Sequence, residues 1–294
     1  MIVKSGHSAV ANIWIASVCY PMAPAFAVDF RTGLGAQSRP YRQVLVAESG
    51  SDVSDFLSPS PPDQASRVIE AKPGVTGVAL RQLLFDHIAD LDGDDIVVMA
   101  DCDDRLRPGA LEAFEAGLRT ADVTAADMAI MDGDGLCTGA HFFAGADIPD
   151  DVFDPAALTD KNWFGMSNTA MRAVVFADGA PQIPETIQAV DWWLYHQILA
   201  QGFQAQRLDC VVTDYRSTPR STLGYGPARS LETLARRVNI VTQHQRAVAG
   251  TASGAIEGLV ARMADDPVGL EADLRKLPET GVWYEDVFRL AGGA

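Results

Sequence analysis

The sequence has little positive charge. Lys and Arg number 23 against 39 Asp and Glu, which gives a formal net charge of −16, and no segment is densely basic. A surface of this charge repels the phosphate backbone of a nucleic acid, so we expect no nucleic-acid partner. Hydrophobic residues make up 48% of the chain, which is sufficient for a substantial core and excludes a disordered protein.

Cysteine is also scarce, and the cysteines that are present are not paired in the sequence. Four widely separated residues lack the spacing of a zinc site or a disulfide framework: Cys19, Cys102, Cys137 and Cys210. We therefore expect free thiols in a reducing compartment, which indicates a cytoplasmic protein.

No apolar run is long enough to predict a membrane span. Residues 8–28 are uncharged and end in Ala-Phe-Ala-Val, which is similar to a signal peptide with its cleavage site. However, the apolar part is short, and Pro21 and Pro24 interrupt the segment after it. We favour a first buried strand that ends at Tyr20 and Pro21.

Short apolar runs alternate with amphipathic segments over the first 120 or so residues. Repeated strand–helix–strand units predict an α/β fold with a doubly wound, mostly parallel sheet that is flanked by helices. After residue 227 the pattern is helical, with one long segment and three shorter ones. We predict a first domain over residues 1–227 and a C-terminal helical extension over residues 228–294, and this extension is a candidate homodimer interface.

The most informative segment is 94–114, with the sequence DDIVVMADCDDRLRPGALEAF. Four apolar residues, typical of a buried strand, lead directly into Asp101, Asp103 and Asp104, and a helix comes next. Ligands of open α/β sheets bind beyond the carboxyl ends of such strands. Carboxylate oxygens there suit Mg²⁺ or Mn²⁺ carrying a phosphate. An alternative is that the aspartates cap the next helix, which is compatible with metal binding.

The order of these motifs resembles that of family 2 glycosyltransferases, which are inverting enzymes of the GT-A fold with nucleotide-sugar donors. The resemblance covers residues 12 to about 222. The matched segments are the opening strand (13–21), an acidic turn (48–52), a helix start (77–82), the acidic strand end with its helix (99–112), and an Asp-bearing helix and a strand (189–203 and 214–221).

The resemblance implies a site for a nucleoside-diphosphate sugar. Asp103 is the expected metal carboxylate, and Asp101 is expected near the ribose or the metal. A Mn²⁺ or Mg²⁺ ion bridging the two phosphates stabilises the charge that develops on the leaving group. Glu48 is expected to accept a hydrogen bond from the imide of uracil, which favours a UDP-sugar. Arg81 is expected to pair with the diphosphate, and Pro21 ends the first nucleotide-binding strand.

A further basic pair is expected to bind the nucleotide. By the same resemblance, Arg216 and Arg220 belong to a segment that covers the diphosphate. The alternative is a surface loop with incidental arginines. Neither arginine is part of a longer basic run.

Asp191 is the expected catalytic base. Direct displacement at the anomeric carbon requires a group that removes the proton of the acceptor hydroxyl, and the resemblance assigns this role to Asp191. Trp192 and Trp193 beside it are expected to form a wall that stacks on the sugar, and Trp163 and Gly165 are expected on the acceptor side. The alternative is an ordinary carboxylate at a helix start, with the tryptophans in the core.

Three positions depart from the family pattern, namely Ser49, Gln82 and Val190. They keep open the alternative of a non-catalytic binding protein that retains the GT-A fold. A separate possibility is a metal-dependent nucleotidyl or phosphoryl transferase. The sequence does not distinguish a glycan, lipid-linked or protein acceptor, and polysaccharide biosynthesis is one expected role.

Overall fold

Within the part of the chain that the structure describes, nine strands form one sheet with helices around it. The computed structural model describes residues 11–21, 24–57, 66–146, 148–149, 154–218, 225–278 and 282–292. The strands are β1 (Ile13–Cys19), β2 (Arg42–Ala47), β3 (Arg67–Glu70), β4 (Ile96–Met99), β5 (Arg105–Leu106), β6 (Val123–Met131), β7 (Cys137–His141), β8 (Thr169–Arg172) and β9 (Ala205–Arg216). The helices are α1 (Pro24–Gly35), α2 (Gly77–Ala89), α3 (Ala110–Gly117), α4 (Val190–Ala200), α5 (Leu231–Ala249), α6 (Gly254–Asp265), α7 (Pro267–Leu274) and α8 (Glu285–Leu290).

The sheet has the order β3-β2-β1-β4-β8-β6-β9-β5, and β7 pairs with β6 at one side. The first four strands in this order are parallel, as are β6 and β9. β8 lies antiparallel between β4 and β6, an arrangement that the strand–helix alternation did not predict. The predicted α/β class is confirmed. Because β1 and β4 are parallel neighbours, the residues just beyond their carboxyl ends meet at one edge of the sheet.

The register of β1 against β4 is supported by a buried carboxylate. Asp95, just before β4, accepts hydrogen bonds from the backbone N–H and the side-chain amide of Asn12, at 3.0 and 2.9 Å. Its other oxygen accepts one from Nε1 of Trp14 at 2.9 Å. A buried carboxylate with three donors meets the requirement that buried polar groups are paired. These bonds tie the start of β1 to the start of β4.

The long helix and the three shorter ones predicted after residue 227 are all present. The long helix α5 packs on α4, and α6, α7 and α8 pack against α5. At α4 the ring of Trp192 stacks on His244 with centroids 3.7 Å apart and on Tyr284 with centroids 5.0 Å apart. A buried ion pair of 2.8 Å between Arg237 and Asp286 joins α5 to α8. The domain boundary at residue 227 stays a prediction. No helix in the described ranges has the length and apolar character needed to span a membrane.

The four cysteines fall into two classes that a thiol reagent will distinguish. Cys19 and Cys102 are buried, with their sulfur atoms 2.9 Å apart, whereas Cys137 and Cys210 are exposed. Burial raises the pKa of Cys102, which makes its thiolate scarce.

We expect two thiols to react with Ellman's reagent in the native protein and all four after unfolding in guanidinium. The Cys137→Ser, Cys210→Ser double variant should lose the native reaction. Four rapid thiols, or fewer than four after non-reducing unfolding, would contradict this arrangement.

Candidate active site

A cleft of about 570 Å³ lies beyond the carboxyl ends of β1 and β4. This volume is within the range of small-molecule sites. Five of the residues predicted for the site line it: Arg81, Asp101, Asp103, Asp191 and Arg216. They come from separate parts of the chain, and the sheet topology brings them together.

One side of the cleft is formed by the start of α2. The hydroxyl of Thr76 caps this helix by accepting a hydrogen bond from the N–H of Ala79 at 3.2 Å, and Thr76 and Gly77 line the cleft. The amino terminus of a helix carries partial positive charge and free N–H groups, which attract anions. This side of the cleft is therefore suited to a negatively charged ligand.

Arg81 projects into the same side from α2. Its Nη2 forms an ion pair with Oδ1 of Asp101, and its buried Nη1 has no hydrogen-bond partner among the described residues. Burial disfavours the charged form, but the carboxylate of Asp101 outweighs it, so the pKa of Arg81 is raised and the guanidinium stays charged. An unpaired buried donor is costly, which means that a ligand oxygen placed at Nη1 would be favoured.

The acidic turn after β4 is held in place by the groups around it. The N–H of Asp101 donates to Oγ of Ser167 at 3.0 Å, and Oδ1 of Asp104 accepts the backbone N–H of Arg216 at 2.7 Å. The amino-terminal cap of α3 is Gly109, with no side-chain capping bond. The aspartates therefore do not cap this helix through a side-chain bond, and the structure does not support that alternative.

Burial and mutual repulsion destabilise the charged forms of the carboxylates in the turn. Burial, together with the charge of Asp101, raises the pKa of Asp103 to about 6. Burial and the charge of Asp103 raise the pKa of Asp104 well above its usual range. A cation close to these groups would offset their repulsion.

The turn fits a divalent cation that takes part of its coordination from a ligand. The described part of the chain contains no group of three or more His, Cys, Asp or Glu side chains that could hold a metal ion. Asp101 and Asp103 nevertheless provide carboxylates at the cleft, and Mg²⁺ is commonly held by one or two carboxylates plus substrate phosphates. The residues present fit such an ion only if phosphate oxygens complete its coordination.

Asp191 lies on another side of the cleft, in the first turn of α4. Its Oδ1 accepts a hydrogen bond from the N–H of Trp192 at 2.8 Å. Burial raises the pKa of Asp191 to about 6, against the opposing effect of the Trp192 bond, and the charge of Asp101 adds to the increase. A carboxylate with this pKa is mostly ionised at neutral pH and is basic enough to accept a proton.

Arg216 is buried and holds the acidic turn in place. Its Nε donates to the carbonyl of Asp103 at 2.7 Å, its Nη1 donates to the carbonyls of Asp132 and Gly133 at 3.1 Å each, and its Nη2 pairs with Asp29. These contacts favour a positioning role. Its contact with a nucleotide stays a prediction, and Arg220 lies outside the described residues.

Glu48 and Pro21 lie near the cleft without lining it. The N–H of Glu48 donates to the carbonyl of Cys19 at 3.0 Å, so the ends of β1 and β2 are joined. Pro21 is exposed and directly succeeds Tyr20, which does line the cleft. The charge of Glu48 acts on Tyr20, whose pKa is raised chiefly by burial. A nucleotide role for Glu48 and Pro21 stays a prediction.

The four residues predicted on the acceptor side lie behind the cleft wall. Trp163, Trp192 and Trp193 are buried in the core and do not line the cleft, because they pack against neighbouring helices and loops. Gly165 makes room for Trp283, since a Cβ at position 165 would lie 2.2 Å from its Cη2 atom. The wall at this side is formed instead by Trp283 and Tyr284, which the sequence motifs did not predict.

Other lining residues were also missed. Tyr20 could have been found, because it comes directly after β1 at the edge where ligands bind. Gln188, Ile240, Trp283 and Tyr284 belong to no recognisable pattern in the sequence, and only the tertiary packing brings them to the cleft.

Comparison with known proteins supports the fold. No protein-family model matches the sequence, and no curated protein matches it. Solved structures do match. The 1–349 segment of S. aureus TarS superposes with a TM-score of 0.51 at 13% identity, covering 87% of this chain and 72% of that one. The complex of the same segment with UDP-GlcNAc superposes with a TM-score of 0.51 at 14% identity, covering 86% of this chain and 73% of that one. The chain has the GT-A glycosyltransferase fold.

A second GT-A structure agrees. The mannosyltransferase PcManGT from Pyrobaculum calidifontis, in complex with GDP-Man and Mn²⁺, superposes with a TM-score of 0.51 at 14% identity, covering 93% of this chain and 86% of that one. The GT-A fold predicted from the five motif segments is confirmed. At these identities the likeness concerns the fold.

The raised pKa of Asp191 predicts how stability depends on pH. Between the ordinary pKa and about 6 the native state holds a proton that the unfolded state has lost, so the free energy of unfolding falls as pH rises through this range. Between about pH 5 and about pH 7.5, the free energy of unfolding of Asp191→Asn should fall by about 1 kcal/mol less than that of the wild type. Urea unfolding without nucleotide or metal measures this.

A matched control uses an exposed carboxylate away from the cleft. Asp209→Asn on β9 should give a curve of unfolding free energy against pH that runs parallel to that of the wild type. If Asp191→Asn also runs parallel to the wild type, Asp191 does not hold a proton above its ordinary range.

Proposed function

We propose that the protein is a glycosyltransferase that moves a sugar from a nucleoside-diphosphate donor to a hydroxyl acceptor by metal-assisted inverting displacement. The observation that carries this proposal is the unpaired Nη1 of Arg81, in a cleft that also presents Asp101 and Asp103, and Asp191. Support comes from the fold, since TarS is seen with UDP-GlcNAc and PcManGT with GDP-Man and Mn²⁺.

The donor binds at the side formed by α2 and the acidic turn. Nη1 of Arg81 donates to a diphosphate oxygen, and the helix start at Thr76 and Gly77 favours the same charge. Asp101 and Asp103 would hold a Mn²⁺ or Mg²⁺ ion, whose positive charge would stabilise the departing diphosphate. Arg216 keeps the turn in place by holding the carbonyl of Asp103.

The acceptor approaches from the side of Asp191. Oδ1 of Asp191 accepts a hydrogen bond from the N–H of Trp192, and the Asp191 carboxylate takes the proton of the acceptor hydroxyl. The acceptor oxygen forms its bond to the anomeric carbon while the bond from that carbon to the phosphate oxygen breaks. Attack opposite the leaving group inverts the configuration at the anomeric carbon. The donor nucleotide is released as a diphosphate.

The base of the donor nucleotide is proposed to be uracil. Glu48 lies beside Tyr20 at the ends of β2 and β1, where a carboxylate can accept the imide N–H of uracil. A guanine nucleotide is the alternative that the complex of PcManGT with GDP-Man raises. Binding measurements with several nucleotides decide between them.

Nucleotide binding should require both the cation and Arg81. We expect the thermal midpoint to rise with one diphosphate among UDP, GDP, CDP and dTDP, and only when Mn²⁺ is present, because binding to the native state stabilises it. Mn²⁺ alone should give little shift, since the described site offers too few protein ligands. Arg81→Lys and Asp103→Asn should lose most of the shift.

Arg119→Lys is the matched control, since Arg119 is exposed and does not line the cleft. It should keep the full nucleotide shift. A large shift with Mn²⁺ alone would mean that the protein itself completes the metal site. The absence of any shift with all four nucleotides would contradict donor binding and favour the non-catalytic alternative.

Catalysis should depend on Asp191 without affecting donor binding. Asp191→Asn should lower turnover of the donor by about 10²- to 10⁴-fold, the usual contribution of a general base, and leave the nucleotide shift unchanged. The rate of the wild type should rise with pH through about 6 and then level off, because the base must be ionised. Release of the nucleoside diphosphate is measured by chromatography.

Product analysis separates the remaining alternatives. A glycosyltransferase releases a nucleoside diphosphate, and the product has inverted anomeric configuration by NMR. Release of pyrophosphate or inorganic phosphate would indicate nucleotidyl or phosphoryl transfer. Nucleotide binding without turnover of any donor would indicate a binding protein.

A further inference from the structure

Tyr284 has an unusual backbone conformation. Its φ is 66°, and it is the single non-glycine residue with positive φ among the residues that the structure describes. Bulky side chains avoid this left-handed region, and they are held there only when the surrounding structure imposes it. Residues of this kind often lie at functional sites, so the environment of Tyr284 requires an explanation.

Contacts on both sides of the residue hold it in place. The backbone of Trp283 forms an antiparallel bridge with Asn162. The ring of Trp283 packs over Gly165 and against Phe142, with ring centroids 4.2 Å apart. The ring of Tyr284 stacks on Trp192, the residue directly after Asp191 in α4. These contacts place Tyr284 on the wall of the cleft near Asp191.

The hydroxyl of Tyr284 is buried and unpaired. The side chain is 1% exposed, and the phenolic oxygen has no hydrogen-bond partner among the described residues. Burial and then the negative charge of Asp191 raise the pKa of Tyr284 above its usual range, so the hydroxyl stays protonated and can donate. By contrast, the equally buried hydroxyl of Tyr195 is bonded to Thr169. An unpaired buried hydroxyl is destabilising unless a ligand pairs with it.

We propose that Tyr284 is an acceptor-binding residue whose hydroxyl donates a hydrogen bond to the attacking oxygen of a hydroxyl-bearing acceptor beside Asp191. The segment before α8 thereby completes the active site. The oxygen would donate its proton to Asp191 and accept a hydrogen bond from Tyr284. This inference rests on the proposed function. The ring of Tyr284 stacks on Trp192, next to the proposed base Asp191, which favours the acceptor as the partner of its hydroxyl.

The first test does not depend on activity. Tyr284→Phe removes an unpaired hydroxyl, so the thermal midpoint of the free protein should stay equal to that of the wild type or rise. Tyr195→Phe is the matched control, because it removes a paired hydroxyl and should lower the midpoint by about 2–4 °C. A fall of the same size in Tyr284→Phe would show that its hydroxyl has a partner in the free protein, which would overturn the inference.

The second test uses water as the acceptor. Hydrolysis of a nucleotide sugar in the presence of Mn²⁺ is monitored by release of the nucleoside diphosphate. Tyr284→Phe should lower this rate by about threefold to tenfold, the loss expected for one neutral hydrogen bond, while the midpoint shift caused by the nucleotide stays unchanged. Tyr195→Phe should keep the wild-type rate.

The outcomes separate this inference from the proposed function. If the wild type turns over a donor and Tyr284→Phe does so at the same rate, the inference fails and the proposed function stands. If the wild type neither binds nor hydrolyses any donor, the proposed function fails and the acceptor role of Tyr284 fails with it. The midpoint measurement then still decides whether the hydroxyl is unpaired.

Discussion

The structure depends on keeping several carboxylates together at the end of a buried strand. Asp103 and Asp104 repel each other and are penalised by burial, as their raised pKa values indicate. Arg216 makes the arrangement possible, because one guanidinium bonds the carbonyl of the acidic turn, the β6–β7 turn and α1. Arg81 balances the charge from the other side. Removal of a buried cation of this kind leaves its carboxylate partners uncompensated.

Some buried polar groups at the cleft have no partner within the protein. Nη1 of Arg81 and the hydroxyl of Tyr284, whose residues line the cleft, and Oδ2 of Asp104 in the acidic turn have no hydrogen-bond partner among the described residues. By contrast, Asp95 at the opposite end of β4 is bonded by three donors. Strand β4 therefore begins next to a carboxylate whose hydrogen bonds are made within the protein, which serves stability. It ends at carboxylates that remain available for ligands.

Much of the fold could be predicted because its signals are local. Apolar runs and helical spacing located the main strands and the four last helices, and the acidic strand end located the cleft. The antiparallel position of β8 could not be predicted, since it depends on pairing with strands distant in the sequence. Trp192 was ambiguous for another reason, because an aromatic residue after a carboxylate suits both sugar stacking and core packing. The structure places it in the core.

Gly165 limits which segments could be exchanged between this chain and related chains. A Cβ at this position would lie 2.2 Å from the ring of Trp283, so the loop before β8 and the segment before α8 must be compatible with each other. Their backbones are also bridged through Asn162. The C-terminal helices are therefore not an interchangeable module. A chimera that acquires them from a relative would also need the matching loop before β8, because the two segments pack directly against each other.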